Sequence, residues 1–120
     1  MHTDLSLGYG AAKAKIRREP RIRLREALFA LAKGQATIVG HDEKSWASIT
    51  FAGTRHRLEL VFEGAEAVEA GELFIAFLPE HEFSIRGRLV ADAAVVAVDH
   101  RIGPDPRMDV QVELLLLDEE

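Results

Sequence analysis

Four histidines, His41, His56, His81 and His100, lie between residues 19 and 120. Imidazole is the side chain whose ordinary pKa suits proton transfer near neutral pH, and it is also a common metal ligand. None of the four lies in a His-x-His or His-Glu-x-x-His pattern, the spacings that direct two imidazoles at one ion. Whether each histidine has a catalytic or metal-binding role therefore depends on the strand or loop that positions it.

One polar cluster, Glu80-His81-Glu82, directly follows Pro79. A short loop at this point could aim a carboxylate and an imidazole at one substrate as an acid/base pair. As a metal site the cluster is incomplete, because zinc needs at least three protein ligands and hard cations need several oxygens. A solvated polar loop is the favoured interpretation, and we expect neither a metal nor a cofactor.

His56 and Asp92 are predicted on buried faces of strands. His56 is predicted opposite Phe51, where a histidine bonded to a backbone carbonyl is favoured over a general base. Asp92 interrupts an apolar run on a face assigned to the core, and an unpaired buried carboxylate would be costly. Pairing with Arg86 or Arg88 is the favoured solution; a bulge that turns Asp92 outward and a catalytic role are the alternatives.

Other catalytic signatures are absent from the sequence. No serine or threonine lies in a nucleophile-elbow or phosphate-loop pattern. The chain has no cysteine, which excludes thiolate chemistry, disulfides and cysteine zinc sites. The residue types thus favour a protein that is not an enzyme.

The chain's periodicity predicts seven elements in one α+β domain of residues 19–120. The order is α-β-β-β-α-β-β, with two helices on a mostly antiparallel sheet of about five strands. The predicted helices are 20–33 and 65–78, and the predicted strands are 35–40, 46–52, 55–62, 89–98 and 108–117.

The first predicted hairpin turns at Gly53-Thr54. Glycine at the first of two loop positions is typical of a type II′ turn. That turn pairs Ile49 with Leu58 and leaves the polar segment 41–45 as a separate turn between two short strands. Gly71 in the second helix indicates a close approach to the sheet.

The second predicted hairpin turns at residues 103–107 and is apolar on both faces. Its register sets Val98 opposite Val112 and Val95 opposite Leu115. Both helices are most simply placed on one face of the sheet. The other face would then expose Val95, Leu115 and Leu117, so we expect a second copy to cover them in a homodimer.

Charge divides the chain into a basic start and an acidic body. Residues 1–25 carry seven bases and two acids, whereas the remaining residues carry eight bases and eighteen acids. We expect residues 1–18 to be a flexible arm, with Arg17, Arg18 and Arg21 contacting either an anionic partner or an acidic surface of the protein itself.

Nucleic acid is one candidate for the anionic partner. The element order through the second helix resembles that of the double-stranded RNA-binding fold in topology. In that fold the second helix presents basic side chains to phosphates. Here the second helix carries Glu66, Glu69 and Glu72 and no lysine or arginine. Binding of nucleic acid would therefore depend on the arm alone.

Three functions follow as hypotheses. The leading one is a small non-enzymatic interaction domain that self-associates. The second is a nucleic-acid-associated accessory protein that uses the basic arm, and the third is a small enzyme with a His/Glu acid-base site. The start of the chain lacks the basic-then-apolar order of a signal peptide and no apolar run approaches a membrane span, so a cytoplasmic protein is expected.

Overall fold

The structure is a computed structural model that describes residues 19–119. Its α+β class and antiparallel sheet confirm the predicted class, with four strands instead of five. No helix in the described part is long and apolar enough to cross a membrane. The elements are α1 (residues 19–31), β1 (Ala36–Ala47), β2 (Ala52–Glu63), α2 (Ala65–Phe77), β3 (Arg88–Arg101) and β4 (Arg107–Asp118).

The sheet has the order β1-β2-β4-β3, and every neighbouring pair is antiparallel. Leu24 and Leu28 of α1 and Phe74 of α2 belong to one buried cluster with Leu58 and Leu60 of β2. Both helices therefore cover the same face of the sheet. We call this the covered face, and the opposite face, which carries neither helix, the open face.

Helix α1 ends where its sequence indicates. Gly34 has a φ of 70°, and its N–H donates to the carbonyl of Phe29 at 2.9 Å. Glycine adopts this left-handed conformation without a steric penalty, which satisfies a carbonyl of the last turn. The chain then enters β1 at Ala36.

Helix α2 lies against β2 and β4 through its predicted apolar stripe. A Cβ built on Gly71 would lie 3.0 Å from both Met108 Sδ and Phe62 Cγ. The absence of a side chain at Gly71 thus lets the helix approach the sheet, as predicted. A single turn of 3-10 helix, Leu78–Glu80, ends the segment at Pro79.

The predicted turn over residues 41–45 is wrong, because these residues belong to the single long strand β1. A bulge between Ile38 and Gly40 shifts the register of β1 against β2 by one residue. Beyond the bulge, His41 lies opposite Leu58 and the polar segment continues the ladder. An alternating polar sequence can pair as well as an apolar one where a face is partly exposed.

The predicted Gly53-Thr54 turn is also wrong, and with it the pairing of Ile49 with Leu58. The loop comprises Ser48 to Phe51, and Gly53 lies inside β2 between Trp46 and Leu117. A Cβ at Gly53 would lie 2.1 Å from the carbonyl oxygen of Leu116. Close approach of β4 is the reason for glycine here, since its φ is not in the left-handed region.

The predicted register of the second hairpin is wrong as well. Val98 lies opposite Val110, and bulges after Val90 and after Val95 shift the remaining pairs. Val95 consequently faces Val112 on the covered face instead of Leu115. Bulges of this kind reverse which side chains share a face, and a strict alternation could not anticipate them.

Candidate functional site

The bulge in β1 directs two polar side chains toward the covered face. Residues i and i+2 of a strand share a face, so His41 and Glu43 both lie on this side. His41 pairs with Leu58 and Glu43 pairs with His56 on the neighbouring strand. The first turns of α1 supply Arg21 and Arg25 above them. We call these five residues the histidine cluster.

Hydrogen bonds connect the cluster in a chain from helix to sheet. Arg25 Nη1 lies 3.3 Å from His41 Nδ1, and His41 Nε2 lies 2.9 Å from His56 Nδ1. Arginine can only donate, so His41 Nδ1 accepts and its Nε2–H donates to His56. In this arrangement both imidazoles are neutral.

Glu43 completes the cluster. Arg21 Nη1 donates to Glu43 Oε2, while Glu43 Oε1 lies 3.9 Å from His56 Nδ1. His56 is 2% exposed, whereas the Glu43 side chain is 38% exposed. The cluster is therefore closed at its sheet end and open to solvent at its carboxylate.

Burial and the nearby positive charges keep the imidazoles uncharged. Burial lowers the pKa of His41 to about 4, with further lowering by Arg21 and His56. Burial also lowers the pKa of His56, against the opposing effect of Glu43. A neutral imidazole can accept a proton or bind a metal, but these lowered pKa values disfavour His41 as a general base near neutral pH.

The predicted acid/base loop lies elsewhere. Glu80, His81 and Glu82 are exposed. The ring of His81 packs edge-on against Phe83, with 4.6 Å between the ring centroids. His100, on β3, is also exposed. The structure does not bring these groups together with His56.

Asp92 lies opposite Leu115 on the open face and is exposed. Its predicted place in the core is wrong, because the bulge after Val90 turns it outward. Its proposed partner Arg88 instead binds Asp118, with Arg88 Nε 3.1 Å from Asp118 Oδ1. Asp92 thus needs no buried counterion.

His41, Glu43 and Arg25 were missed as members of a site. Their signal is the i, i+2 spacing of His41 and Glu43, which places both on one face of a strand. Because a turn was predicted over residues 41–45, His41 and Glu43 were not assigned to one strand. His56, in contrast, was predicted on the core face, and it lies there beside Glu43 instead of Phe51.

Ion pairs dominate the middle of the open face. Arg57 donates to Glu113 across the β2–β4 pair, and Arg55 Nη1 lies 3.7 Å from the same carboxylate. Hydrogen bonding from Arg57 lowers the pKa of Glu113. At the far end of the sheet, Arg107 Nη2 lies 3.0 Å from Asp109 Oδ1. These pairs leave charged side chains along the open face.

The end of the open face beside the β1–β2 loop carries both apolar and acidic side chains. A groove of about 730 Å³ lies between the Ser48–Phe51 loop and the β3–β4 pair, and its lining includes Leu89, Leu117, Asp118 and Glu119. Ile49 is fully exposed. We call this depression the hairpin-end groove.

The predicted interaction residues are distributed differently from the expectation. Leu115 and Leu117 are only 9% and 8% exposed, so they are largely covered by the chain itself. Arg21 lies in α1 and contacts Glu43 of its own chain. Arg17 and Arg18, like the rest of the predicted arm of residues 1–18, lie outside the described residues.

Comparison with known proteins identifies the fold without a family. No family model matches the chain, and no curated protein matches it. A chain from the virion of a native gene transfer agent particle has a similar structure, with a TM-score of 0.56 at 13% sequence identity. The match covers 82% of this chain and 92% of that chain. At this identity the likeness shows a shared α+β fold.

Proposed function

We propose that the protein is a non-enzymatic interaction domain that self-associates through the hairpin-end groove, with a second copy as the occupant. The observation that carries this proposal is the Ser48–Phe51 loop, which holds apolar side chains in solvent beside a groove that has both apolar and acidic lining residues. Exposed apolar surface next to a concavity is typical of protein contact sites.

The exposed loop has no evident role within the chain. Ile49 is fully exposed and Phe51 is 55% exposed, although a four-residue hairpin loop is normally polar. Leu89, on the opposite wall, is 53% exposed. These side chains would lose contact with water if another chain covered the groove, which is the main source of affinity at such contacts.

The geometry suits a second copy because loop and groove lie side by side. A two-fold axis near the groove brings the Ile49 of each chain to the groove of the other, as an isologous contact requires. Charge supports the same occupant. Asp118 and Glu119 lie in the groove, whereas residues 1–18 carry four bases and one acid, so a second copy of the chain supplies charges of the opposite sign.

The structural comparison is compatible with this function. The similar chain comes from the virion of a gene transfer agent particle, and such an origin is compatible with a chain that associates with a second copy. The acidic residues Glu66, Glu69 and Glu72 are exposed on α2, which disfavours a phosphate contact there.

The test is the oligomeric state of an Ile49→Asp variant, measured by light scattering after gel filtration. We expect the full chain to run at twice its chain mass and Ile49→Asp to raise the dimer dissociation constant at least about tenfold. One buried isoleucine is worth about 1.5–3 kcal/mol, and about 1.4 kcal/mol corresponds to tenfold.

The matched control is Ile102→Asp. Ile102 is 83% exposed at the other hairpin end, where it does not line the groove. It should leave the dimer intact. A monomeric full chain, or equal weakening by both variants, would overturn the proposed contact.

A further inference from the structure

Three donor atoms of the histidine cluster converge within the structure. His41, Glu43 and His56 each offer one ligand atom, and these atoms lie within 4.8 Å of one another. Two imidazole nitrogens and a carboxylate oxygen are ligands that zinc and similar transition metals accept. Hard cations such as Ca²⁺ would require more oxygen ligands than the cluster supplies.

We propose that His41, Glu43 and His56 form a binding site for a divalent transition-metal ion of the zinc class, with water as the fourth ligand. The function proposed above does not depend on this site, because the cluster lies on the covered face and the hairpin-end groove does not include it.

The distances between the donors fit this coordination. Bonds of about 2.0–2.1 Å at tetrahedral angles separate neighbouring ligand atoms by about 3.3–3.4 Å. The observed separations are 2.9 Å between His41 Nε2 and His56 Nδ1 and 3.9 Å between His56 Nδ1 and Glu43 Oε1. The third pair of ligand atoms, on His41 and Glu43, lies within 4.8 Å, so the exposed Glu43 carboxylate has to move inward to complete the site. The exposed side of Glu43 leaves room for a water ligand.

Arg21 acts as the support of the carboxylate ligand. It binds Glu43 Oε2 and leaves Oε1 directed toward His56. Ligating carboxylates commonly accept a second hydrogen bond that fixes their orientation. Arg21 contributes this orientation while its positive charge weakens the attraction for a dication.

Arg25 acts as a competitor of the metal. Its hydrogen bond to His41 Nδ1 keeps the proton on Nε2, the atom that would bind the ion. Metal binding requires the other tautomer, so Arg25 has to move away from Nδ1. Since Arg25 is only half-buried, its side chain can turn toward solvent. Metal binding at this site is thus expected to be weaker than it would be without Arg25.

The experiment is calorimetric titration of the full, untagged chain with Zn²⁺ after treatment with a chelator. We expect one ion per chain. Glu43→Gln should weaken binding at least about tenfold, because it removes the charged ligand while the neutral amide retains the shape. Glu43 is exposed, so this variant should fold, and circular dichroism checks it.

Further variants separate the cluster from chance binding. His41→Gln should abolish binding, whereas Gln at His2, His81 or His100 should leave it unchanged. Arg25→Gln should tighten binding about tenfold, since it removes a positive charge close to the ion and frees His41 Nδ1 to donate.

Co²⁺ provides an independent reading of the geometry. A tetrahedral site with nitrogen and oxygen ligands gives visible absorption that Glu43→Gln should alter. The proposal is overturned if the wild-type chain binds no Zn²⁺ at micromolar concentration. It is also overturned if binding survives both Glu43→Gln and His41→Gln, which would locate the ion elsewhere.

Discussion

The two faces of the sheet differ in burial and polarity, although the same four strands form both. On the covered face, Leu58, Leu60 and Val112 are fully or almost fully buried under both helices. On the open face, Arg57 and Glu113 pair across the same strands in solvent. Apolar burial stabilises the first face, while exposed ion pairs contribute little to the second.

The polar residues of the two faces differ in their charge states. His41 and His56 on the covered face are neutral and hydrogen-bonded to each other, because burial penalises their charged forms. Arg57 and Glu113 on the open face keep their charges, because the hydrogen bond between them raises the pKa of Arg57 and lowers the pKa of Glu113. Metal binding is therefore expected at the partly buried polar groups of the histidine cluster. Association is expected at the exposed apolar groups beside the hairpin-end groove.

The largest effect should come from truncating the covered face. Leu58→Ala should lower the free energy of unfolding by about 3 kcal/mol, because it removes a fully buried side chain and leaves a cavity. Leu89→Ala on the open face should cost less than about 0.5 kcal/mol in the monomer, since Leu89 is 53% exposed. Denaturant unfolding of both variants measures the difference. Equal costs would show that the open face is buried in solution.

A second effect should appear where two strands approach most closely. Gly53→Ala should destabilise the protein by about 2 kcal/mol, because its Cβ would lie 2.1 Å from the Leu116 carbonyl oxygen and β4 must shift. Gly40→Ala is the control, since its Cβ meets Glu59 at an ordinary 3.6 Å. Thermal unfolding compares them. A neutral Gly53→Ala would contradict the observed pairing of β2 with β4.

A third effect should be a pH dependence that comes from the histidine cluster. The pKa of His41 is about 4 in the fold and 6.5 in an ordinary environment, so the unfolded chain binds more protons between these values. Stability should thus be complete above pH 6.5 and should fall as the pH decreases toward about 4. Thermal unfolding with a chelator present measures this slope.

His41→Gln provides the control for that slope. Its stability should depend less on pH over the same window, while Glu113, whose pKa is lowered by Arg57, contributes equally in both proteins. The exposed His81→Gln should behave like the wild-type chain. An unchanged slope in His41→Gln would mean that His41 is not neutralised by the fold.

Local sequence patterns were sufficient to predict the two helices and the fold class. Leu24 and Leu28 recur at helical spacing before Gly34, and α1 ends there. Gly71 sits on the stripe of α2 that meets the sheet, as its position indicated. These features depend on neighbours a few residues away, so the sequence shows them directly.

The sequence alone therefore determined two amphipathic helices, an antiparallel sheet and the placement of His56 on a buried face. The tertiary structure decided the registers, because bulges near Val39, Ala91 and Val96 each add one residue and reverse the faces beyond them. The histidine cluster depends on the first of these bulges. A bulge forms where it lets whole strands pack against the helices, and that benefit comes from residues far away in the chain.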